Sequence, residues 1–245
     1  MTSSENREHD RVPPGKDRIR PLEAWRALRA LANDPDDTAQ VFRVLRALPN
    51  GDRLFRRFRR TESGARLLAE RPALLGRLSD RPALLALPPG SLGHGYAEFM
   101  EAEQISADGL VEASEASSGE RWPDEEHRFF GERMRDMHDL WHVVTGYGRD
   151  LLGEAALLSF TFAQTRTPGI GVIVGHALWK ARGDFAPARP IIWQGFRRGL
   201  RARWLPAQEW EQLLALPLEE VRERLAVGRP PAYAPLRSEG APAVA

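Results

Sequence analysis

Four side chains that bind metal ions well lie close together in the sequence: His138, Asp139, His142 and, somewhat later, Glu154. His138 and His142 are four residues apart, so a helix places them on one face, one turn apart, and Asp139 borders that face. Two imidazoles with one or two carboxylates suit zinc with an open position, and equally a non-haem iron site. The spacing therefore predicts a metal centre and leaves the metal open.

Glu154 can share an ion with the two histidines only if the chain turns back between them. The twelve residues from His142 to Glu154 would span about 18 Å as a straight helix. The intervening run Thr-Gly-Tyr-Gly contains Gly146 and Gly148, and two glycines in three positions end a helix readily. Asp150 could then cap a second helix with Glu154 in its first turns. The sequence predicts a helix, a glycine turn and a returning helix.

Apolar residues recur at helical spacing through most of the chain, and no convincing alternating strand pattern is found, so the predicted class is all-α, a multi-helix bundle. The predicted helices that bear on the site are Asp124–Thr145, Glu154–Thr165, Ile191–Trp204 and Pro206–Val227.

The proline- and glycine-rich turn at 88–93 is interpreted as a boundary within a single all-α domain covering residues 21–230. It separates an N-terminal helical part, 21–88, from the part with the metal motif, 89–230. Residues 1–20 are predicted to be a disordered tail, because they are polar and charged, and residues 231–245 a loose C-terminal tail.

The composition excludes several classes of protein. The chain has no cysteine, so disulfides and thiolate metal sites are excluded. Its 35 basic and 34 acidic residues give a net charge of +1, which provides no general attraction to nucleic acid. Neither a secretory signal nor a membrane span is expected. We expect a cytoplasmic protein of bacterial type, peripheral to the inner face of the membrane.

Other residues have a functional and a structural interpretation. Arg135, one turn before the motif, could pair with an anionic substrate group or be a solvated charge. The apolar runs 157–162 and 170–179 could line a lipid tunnel or pack in the core, and the arginine clusters at 53–60 and 197–203 could meet lipid headgroups or water. The remaining histidines of the ordered region, which lack a partner at ligand spacing, are interpreted as structural: His94, His127 and His176.

The motif His-Asp-x-x-His, eleven residues and then Glu resembles the signature of the coenzyme Q (ubiquinone) biosynthesis protein 4 family. Other stretches are similar to that family as well, and together the likeness covers roughly residues 40 to 230. They are Pro89-Gly90-Ser91-Leu92-Gly93 followed by Tyr96 and Phe99-Met100, Ala163-Gln164-Thr165, and the C-terminal segments around Trp210 and Pro217-Leu218.

The resemblance implies a helical metalloprotein that binds Zn²⁺, with Fe²⁺ as the other candidate, at His138, Asp139, His142 and Glu154. It implies a role in ubiquinone biosynthesis and an apolar groove that binds a prenylated aromatic lipid. It also implies peripheral membrane contact and association with other proteins of the pathway, and it is compatible with a homodimer. The implied reaction is removal of the C1 carboxyl of a polyprenylated 4-hydroxybenzoate, with a hydroxyl ultimately in its place. The same four residues would then be catalytic, and we expect one carboxylate to be displaced by substrate.

Three alternatives stay open at this point. The metal could merely join two helices of a non-catalytic, prenyl-lipid-binding scaffold that organises the biosynthetic complex. The ligand types also suit a non-haem iron oxygenase, and an oxidative decarboxylation needs oxygen, another metal or a second enzyme, because zinc has no redox chemistry. A His-Asp phosphohydrolase is disfavoured, since its further histidine and aspartate positions are not evident.

Overall fold

The computed structural model describes residues 19–33, 38–105, 122–183 and 186–236. Within these ranges the regular secondary structure is helical and contains no β-strand, which confirms the predicted all-α class. The helices are α1 Pro21–Asn33, α2 Thr38–Ala47, α3 Gly51–Arg59, α4 Glu62–Glu70, α5 Leu74–Ser79, α6 Arg81–Leu85, α7 Leu92–Ala102, α8 Glu125–Asp136, α9 His138–Thr145, α10 Leu151–Thr165, α11 Pro168–Lys180, α12 Ala188–Arg201, α13 Trp210–Leu213 and α14 Leu218–Arg224, with a 3₁₀ helix at Leu205–Ala207.

The largest buried cluster lies where α7, α9 and α10 meet the C-terminal helices. Burial of each large apolar side chain contributes about 1.5–3 kcal/mol, so this cluster holds α9 and α10 firmly relative to each other. Its members include Tyr96, Leu140, Trp141, Leu157, Phe160, Trp210 and Val221.

The predicted single helix Asp124–Thr145 is wrong in one respect, because the structure divides it at Met137. Met137 has φ −80° and ψ −4°, which is still right-handed but has a shallower ψ than a regular α-helix, and it separates α8 from α9. Its side chain is fully buried. The predicted start is confirmed, since the carboxylate of Asp124 accepts a hydrogen bond from the backbone N–H of His127.

The predicted helix Pro206–Val227 is also wrong, because the segment forms a 3₁₀ turn, α13 and α14. Pro217 disfavours a helical conformation at the residue before it. The freed carbonyls bind the 88–93 turn instead: those of Leu214 and Leu216 accept from the N–H groups of Gly93 and Leu92. The turn that was predicted as a boundary thus contacts the C-terminal helices.

The remaining predictions concern the helix near residue 200, the domain division, the two tails and a membrane span. The helix predicted at Ile191–Trp204 runs instead from Ala188 to Arg201, and the indole of Trp204 donates to the carbonyl of Gln164. The domain division stays a prediction, and residues 1–18 and 237–245 of the predicted tails lie outside the described residues. Among the helices described, none combines the length and apolar character needed to cross a bilayer.

Candidate metal centre

Helix α9 brings three of the predicted ligands together at its first turns. One ligand atom from each of His138, Asp139 and His142 lies within 4.8 Å of the others, so this group could hold a metal ion. Nδ1 of His138 is 3.2 Å from Oδ1 of Asp139, and the two imidazole rings meet edge to face with centroids 5.0 Å apart. The four-residue spacing therefore places both rings on one face, as the sequence predicts.

The chain turns back after α9 through Gly146. This residue has φ +73°, in the left-handed region that favours glycine, and its N–H donates to the carbonyl of His142 at 2.8 Å, which closes the helix. Asp150 then caps α10 as predicted, because its carboxylate accepts from the N–H groups of Leu152 and Gly153. The helix, glycine turn and returning helix are present, and α10 begins three residues before Glu154.

Glu154 reaches the histidine pair from the first turn of α10. Its Oε1 lies 3.4 Å from Nε2 of His142. Had the chain continued straight, the separation would have been about 18 Å. The structure thus brings Glu154 beside His142, while the group whose ligand atoms all lie within 4.8 Å of one another contains only the three α9 residues.

The imidazole of His142 has one satisfied nitrogen and one that is not. Nδ1 lies 2.9 Å from the carbonyl oxygen of Tyr147, so it donates its proton there, and a neutral ring then carries its lone pair on Nε2. Nε2 is fully buried, and within the described part of the chain it makes no hydrogen bond. It faces the carboxylate of Glu154, and two acceptors this close require positive charge between them, a proton or a metal cation.

This arrangement fits a bound metal. A histidine ligand commonly donates its second N–H to a backbone carbonyl, which fixes the tautomer and the ring orientation, as Tyr147 does for His142. The donor set of two imidazoles and two carboxylates matches zinc and non-haem iron. The residues present therefore suit a divalent cation, and the metal's identity stays a prediction.

The charges of the site reinforce one another. Burial alone would lower the pKa of His142, but Glu154, the carbonyl of Tyr147 and Asp139 together outweigh burial and raise that pKa above its ordinary value. Burial alone would raise the pKa of Glu154, but His142, His138 and Arg149 together bring that pKa below its ordinary value. Burial alone would also raise the pKa of Asp139. The hydrogen bond and charge of His138, with other nearby charges, outweigh burial, so the pKa of Asp139 lies below its ordinary value. Both carboxylates are thus held ionised, ready for a cation.

The site has a closed floor and an open edge. The side chains of Asp139 and His142 are 6% and 0% exposed. Those of His138, Glu154 and Arg149 are 37%, 32% and 34% exposed. The site is therefore accessible to solvent at the edge formed by these last three residues.

Two neighbouring groups fix the helices that carry the ligands. Arg222 donates through Nη2 and Nε to the carbonyls of Val143 and Val144, at the C-terminal end of α9. On the other side, the hydroxyl of Tyr233 donates to the carboxylate of Asp150 at 2.8 Å and accepts from the N–H of Gly148. Tyr233 lies in residues 231–236, the described part of the segment predicted as a loose tail.

The other candidates from the sequence lie in defined surroundings. Arg135 forms an ion pair with Asp136, with Nε and Nη2 at 3.0 and 2.9 Å from the carboxylate. Nδ1 of His127 is 2.8 Å from Asp124, and Nδ1 of His94 is 3.3 Å from the carbonyl of Leu87.

Two residues of the site were not singled out in the sequence. Arg149 could have been noticed, because it lies inside the glycine turn. Tyr233 lies 83 residues from Asp150 and gave no signal.

Comparison with known proteins agrees with the motif and its surroundings. The family model described as "Coenzyme Q (ubiquinone) biosynthesis protein Coq4" matches residues 24–231. This chain belongs to the Coq4 family. Membership in this family supports a role in ubiquinone biosynthesis.

Named relatives and one solved structure extend the comparison. The chain is 34% identical over 172 residues to the mitochondrial ubiquinone biosynthesis protein coq4 of Botryotinia fuckeliana, covering 69% of this chain and 58% of that one. Against the mitochondrial COQ4 of Uncinocarpus reesii it is 31% identical over 182 residues, covering 72% and 62%. A crystal structure from Nostoc punctiforme PCC 73102, described provisionally as a ubiquinone biosynthesis protein, superimposes with a TM-score of 0.64 at 26% identity, covering 85% of this chain and 96% of that one.

These relatives correct one prediction. We expected a cytoplasmic protein at the inner face of a bacterial membrane, and that location is wrong by this comparison, because the curated relatives are named mitochondrial proteins of fungi. The present chain spans about three fifths of the length of those relatives, 58% and 62%.

Proposed function

We propose that this protein acts in ubiquinone biosynthesis as a metal-dependent carboxy-lyase, which removes the C1 carboxyl of a polyprenylated 4-hydroxybenzoate intermediate. Family membership supports the pathway. The observation that carries the metal-dependent reaction is the buried Nε2 of His142, which faces the Glu154 carboxylate at 3.4 Å without a hydrogen bond among the described residues.

The residues that would hold the metal are His138, Asp139, His142 and Glu154. Zn²⁺ is the first candidate and Fe²⁺ the second, since both accept imidazole and carboxylate ligands. When bound, such a cation supplies a Lewis acid that stabilises the negative charge left on an aromatic ring when carbon dioxide departs.

The buried residues on the floor of the site and the exposed residues at its edge would have different roles. Asp139 and His142 are buried and fixed, while Glu154 at the open edge is the carboxylate that a substrate could displace. The ring of Phe99 stacks on His142 with centroids 5.7 Å apart and covers that side of the site from water. Low water content strengthens every charge interaction at the centre.

The reaction balances with one proton. The bond between C1 and the carboxyl carbon breaks, carbon dioxide leaves, and the bonding electron pair stays on C1, which takes a proton from water at the open edge. An oxidative version, in which a hydroxyl takes the place of the carboxyl, additionally needs an oxidant such as dioxygen.

The prenyl tail and the membrane form part of the same proposal. Exposed apolar side chains on α11 and α12 include Val172, Trp179 and Trp193, and the guanidinium of Arg182 lies over the Trp179 ring. Such surfaces suit a prenylated aromatic lipid and peripheral membrane contact, since each buried methylene contributes about 0.8 kcal/mol. Association with other ubiquinone biosynthesis proteins, or with a second copy of this chain, is part of the proposal. The near-neutral charge disfavours nucleic acid.

A second candidate is a non-catalytic scaffold that binds prenyl lipid. It is favoured because the protein itself provides four donor groups, as many as a closed, structural zinc site needs. In that case the metal only ties α9 to α10.

Release of carbon dioxide separates the two candidates. We would incubate zinc-loaded protein with a farnesylated 4-hydroxybenzoate labelled in its carboxyl group and measure labelled carbon dioxide by mass spectrometry. The decarboxylase predicts release that stops with a chelator and in Glu154→Ala, at unchanged far-UV circular dichroism. Glu62→Ala is the matched control, because the Glu62 side chain is 94% exposed on α4. Tight lipid binding without release in the zinc or iron form would contradict the decarboxylase and support the scaffold.

A further inference from the structure

Arg149 occupies the open edge of the candidate metal centre, where its ion pair with Glu154 is long. It lies in the glycine turn between α9 and α10, and its Nε is 3.8 Å from Oε1 of Glu154, well beyond the 2.7–2.9 Å or so of a charge-assisted hydrogen bond. Its side chain is 34% exposed. The guanidinium thus stands beside the site and can be approached from solvent.

Other arginines near the site are engaged more closely. Arg135, the residue that the sequence suggested for an anionic group, is bound to Asp136 at 2.9 and 3.0 Å. Arg133 is buried and forms two hydrogen bonds with the carboxylate of Glu211, at 2.6 and 2.8 Å. Compared with these two, Arg149 has a guanidinium fork that a ligand could still occupy.

The charge of the site indicates what that ligand would be. Arg149 places a guanidinium, which carries a permanent positive charge, at the open edge beside Glu154. A carboxylate group supplies one negative charge and matches the planar guanidinium fork with two parallel hydrogen bonds.

We propose that Arg149 binds the carboxylate of an aromatic acid at the metal centre and so distinguishes the acid from its decarboxylated phenol. The inference rests on the proposed function for the identity of the acid. It adds a specificity-determining residue and a reason for product release: once the carboxyl group has left as carbon dioxide, the phenol offers Arg149 no anion to hold.

The test compares two ligands that differ only in the carboxyl group. Affinities of zinc-loaded protein for a farnesylated 4-hydroxybenzoate and for the matching farnesylphenol are measured by isothermal titration calorimetry, with zinc content determined for each sample. We expect wild type to prefer the acid, and Arg149→Met to lower that preference about 10- to 100-fold, as for hydrogen bonds to a charged group. Affinity for the phenol should change less than about twofold, and Arg149→Lys should retain part of the preference.

Arg135→Met serves as the matched control and should leave the preference unchanged, because Arg135 is already paired with Asp136. Arg149→Gln replaces the methionine variant should that variant fail to fold. An unchanged preference in the Arg149 variants, equal weakening of both ligands, or no preference in wild type would each overturn the inference.

The outcome stays separate from that of the proposed function. Carbon dioxide release by wild type together with a preference that does not depend on Arg149 overturns only the role of Arg149. A preference that depends on Arg149 without any carbon dioxide release supports this role and removes the decarboxylase.

Discussion

Replacement of Asp150 by alanine perturbs the geometry of the metal centre from outside the ligand set. Oδ1 of Asp150 accepts from the N–H groups of Leu152, Gly153 and Leu236, and Oδ2 accepts from the hydroxyl of Tyr233 at 2.8 Å. The same residue begins α10, because its backbone carbonyl accepts from the N–H of Glu154. Loss of the carboxylate should therefore weaken the helix start that positions Glu154.

The magnitude follows from these contacts. Removal of an N-cap acceptor costs about 1 kcal/mol. Loss of the hydrogen bonds from Tyr233 and Leu236 to a charged acceptor adds about 1–3 kcal/mol after partial rehydration. We expect Asp150→Ala to lower the free energy of unfolding by about 2–4 kcal/mol, a fall of roughly 1 M in the urea midpoint.

The assay is urea unfolding followed by circular dichroism, with a zinc titration of the folded variant. Asp150→Asn keeps an N-cap acceptor and should lose about half as much stability or less. Tyr233→Phe removes one donor and leaves the N–H of Gly148 unpaired, so it should cost about 1–2 kcal/mol. An unchanged midpoint and zinc affinity in Asp150→Ala would refute the reasoning that this cap positions the ligand on α10.

Three further predictions concern other parts of the molecule. The pKa of His142 is raised, so below that pKa metal binding must release a proton from the imidazole, and metal affinity should fall about tenfold for each pH unit of acidification. Titration calorimetry in several buffers measures this proton release, and a metal affinity that does not depend on pH would contradict the prediction. Glu211→Ala leaves the buried guanidinium of Arg133 without its carboxylate partner and should cost about 3–5 kcal/mol in urea unfolding, whereas an equally stable variant would contradict the importance of the pair. Gly195→Ala would place a Cβ 2.1 Å from a backbone carbonyl oxygen of α10 and should cost about 1–3 kcal/mol, while Gly175→Ala, with open space around it, should be neutral or slightly stabilising; equal melting temperatures would refute this.

The centre of the site could be predicted because its signals are local. The spacing of His138 and His142 fixes their common face in any helix, and Gly146 and Asp150 mark where one helix ends and the next begins. These are short-range backbone preferences, so the sequence carries them within a few residues. The return of Glu154 to the histidines follows from them.

The errors in helix boundaries have tertiary causes. Position 137 is a methionine, neither proline nor glycine, so the sequence shows no helix breaker there. The helix is interrupted where the Met137 side chain is buried in the core. Pro217 is a local signal for the end of a helix. The hydrogen bonds of the Leu214 and Leu216 carbonyls to a turn more than 100 residues earlier have no local signal in the sequence. Helical spacing alone therefore predicted continuous helices in both places.

The edge of the site depends on contacts that residue type does not reveal. Arg135 and Arg149 both lie near the motif, and only the structure shows that the first is paired with Asp136 while the second is loosely held beside Glu154. The contact of Tyr233 with Asp150 joins positions 83 residues apart, for which a single sequence gives no periodicity or motif.

The central claim is that His138, Asp139, His142 and Glu154 together hold one metal ion. Elemental analysis of metal-free protein reconstituted with Zn²⁺ or Fe²⁺ and then desalted tests it most directly, with circular dichroism to verify the fold. The account predicts about one equivalent of metal in wild type and a large loss in His142→Ala and Glu154→Gln. A folded wild-type protein that retains neither metal, or a metal content that both variants leave unchanged, would contradict it.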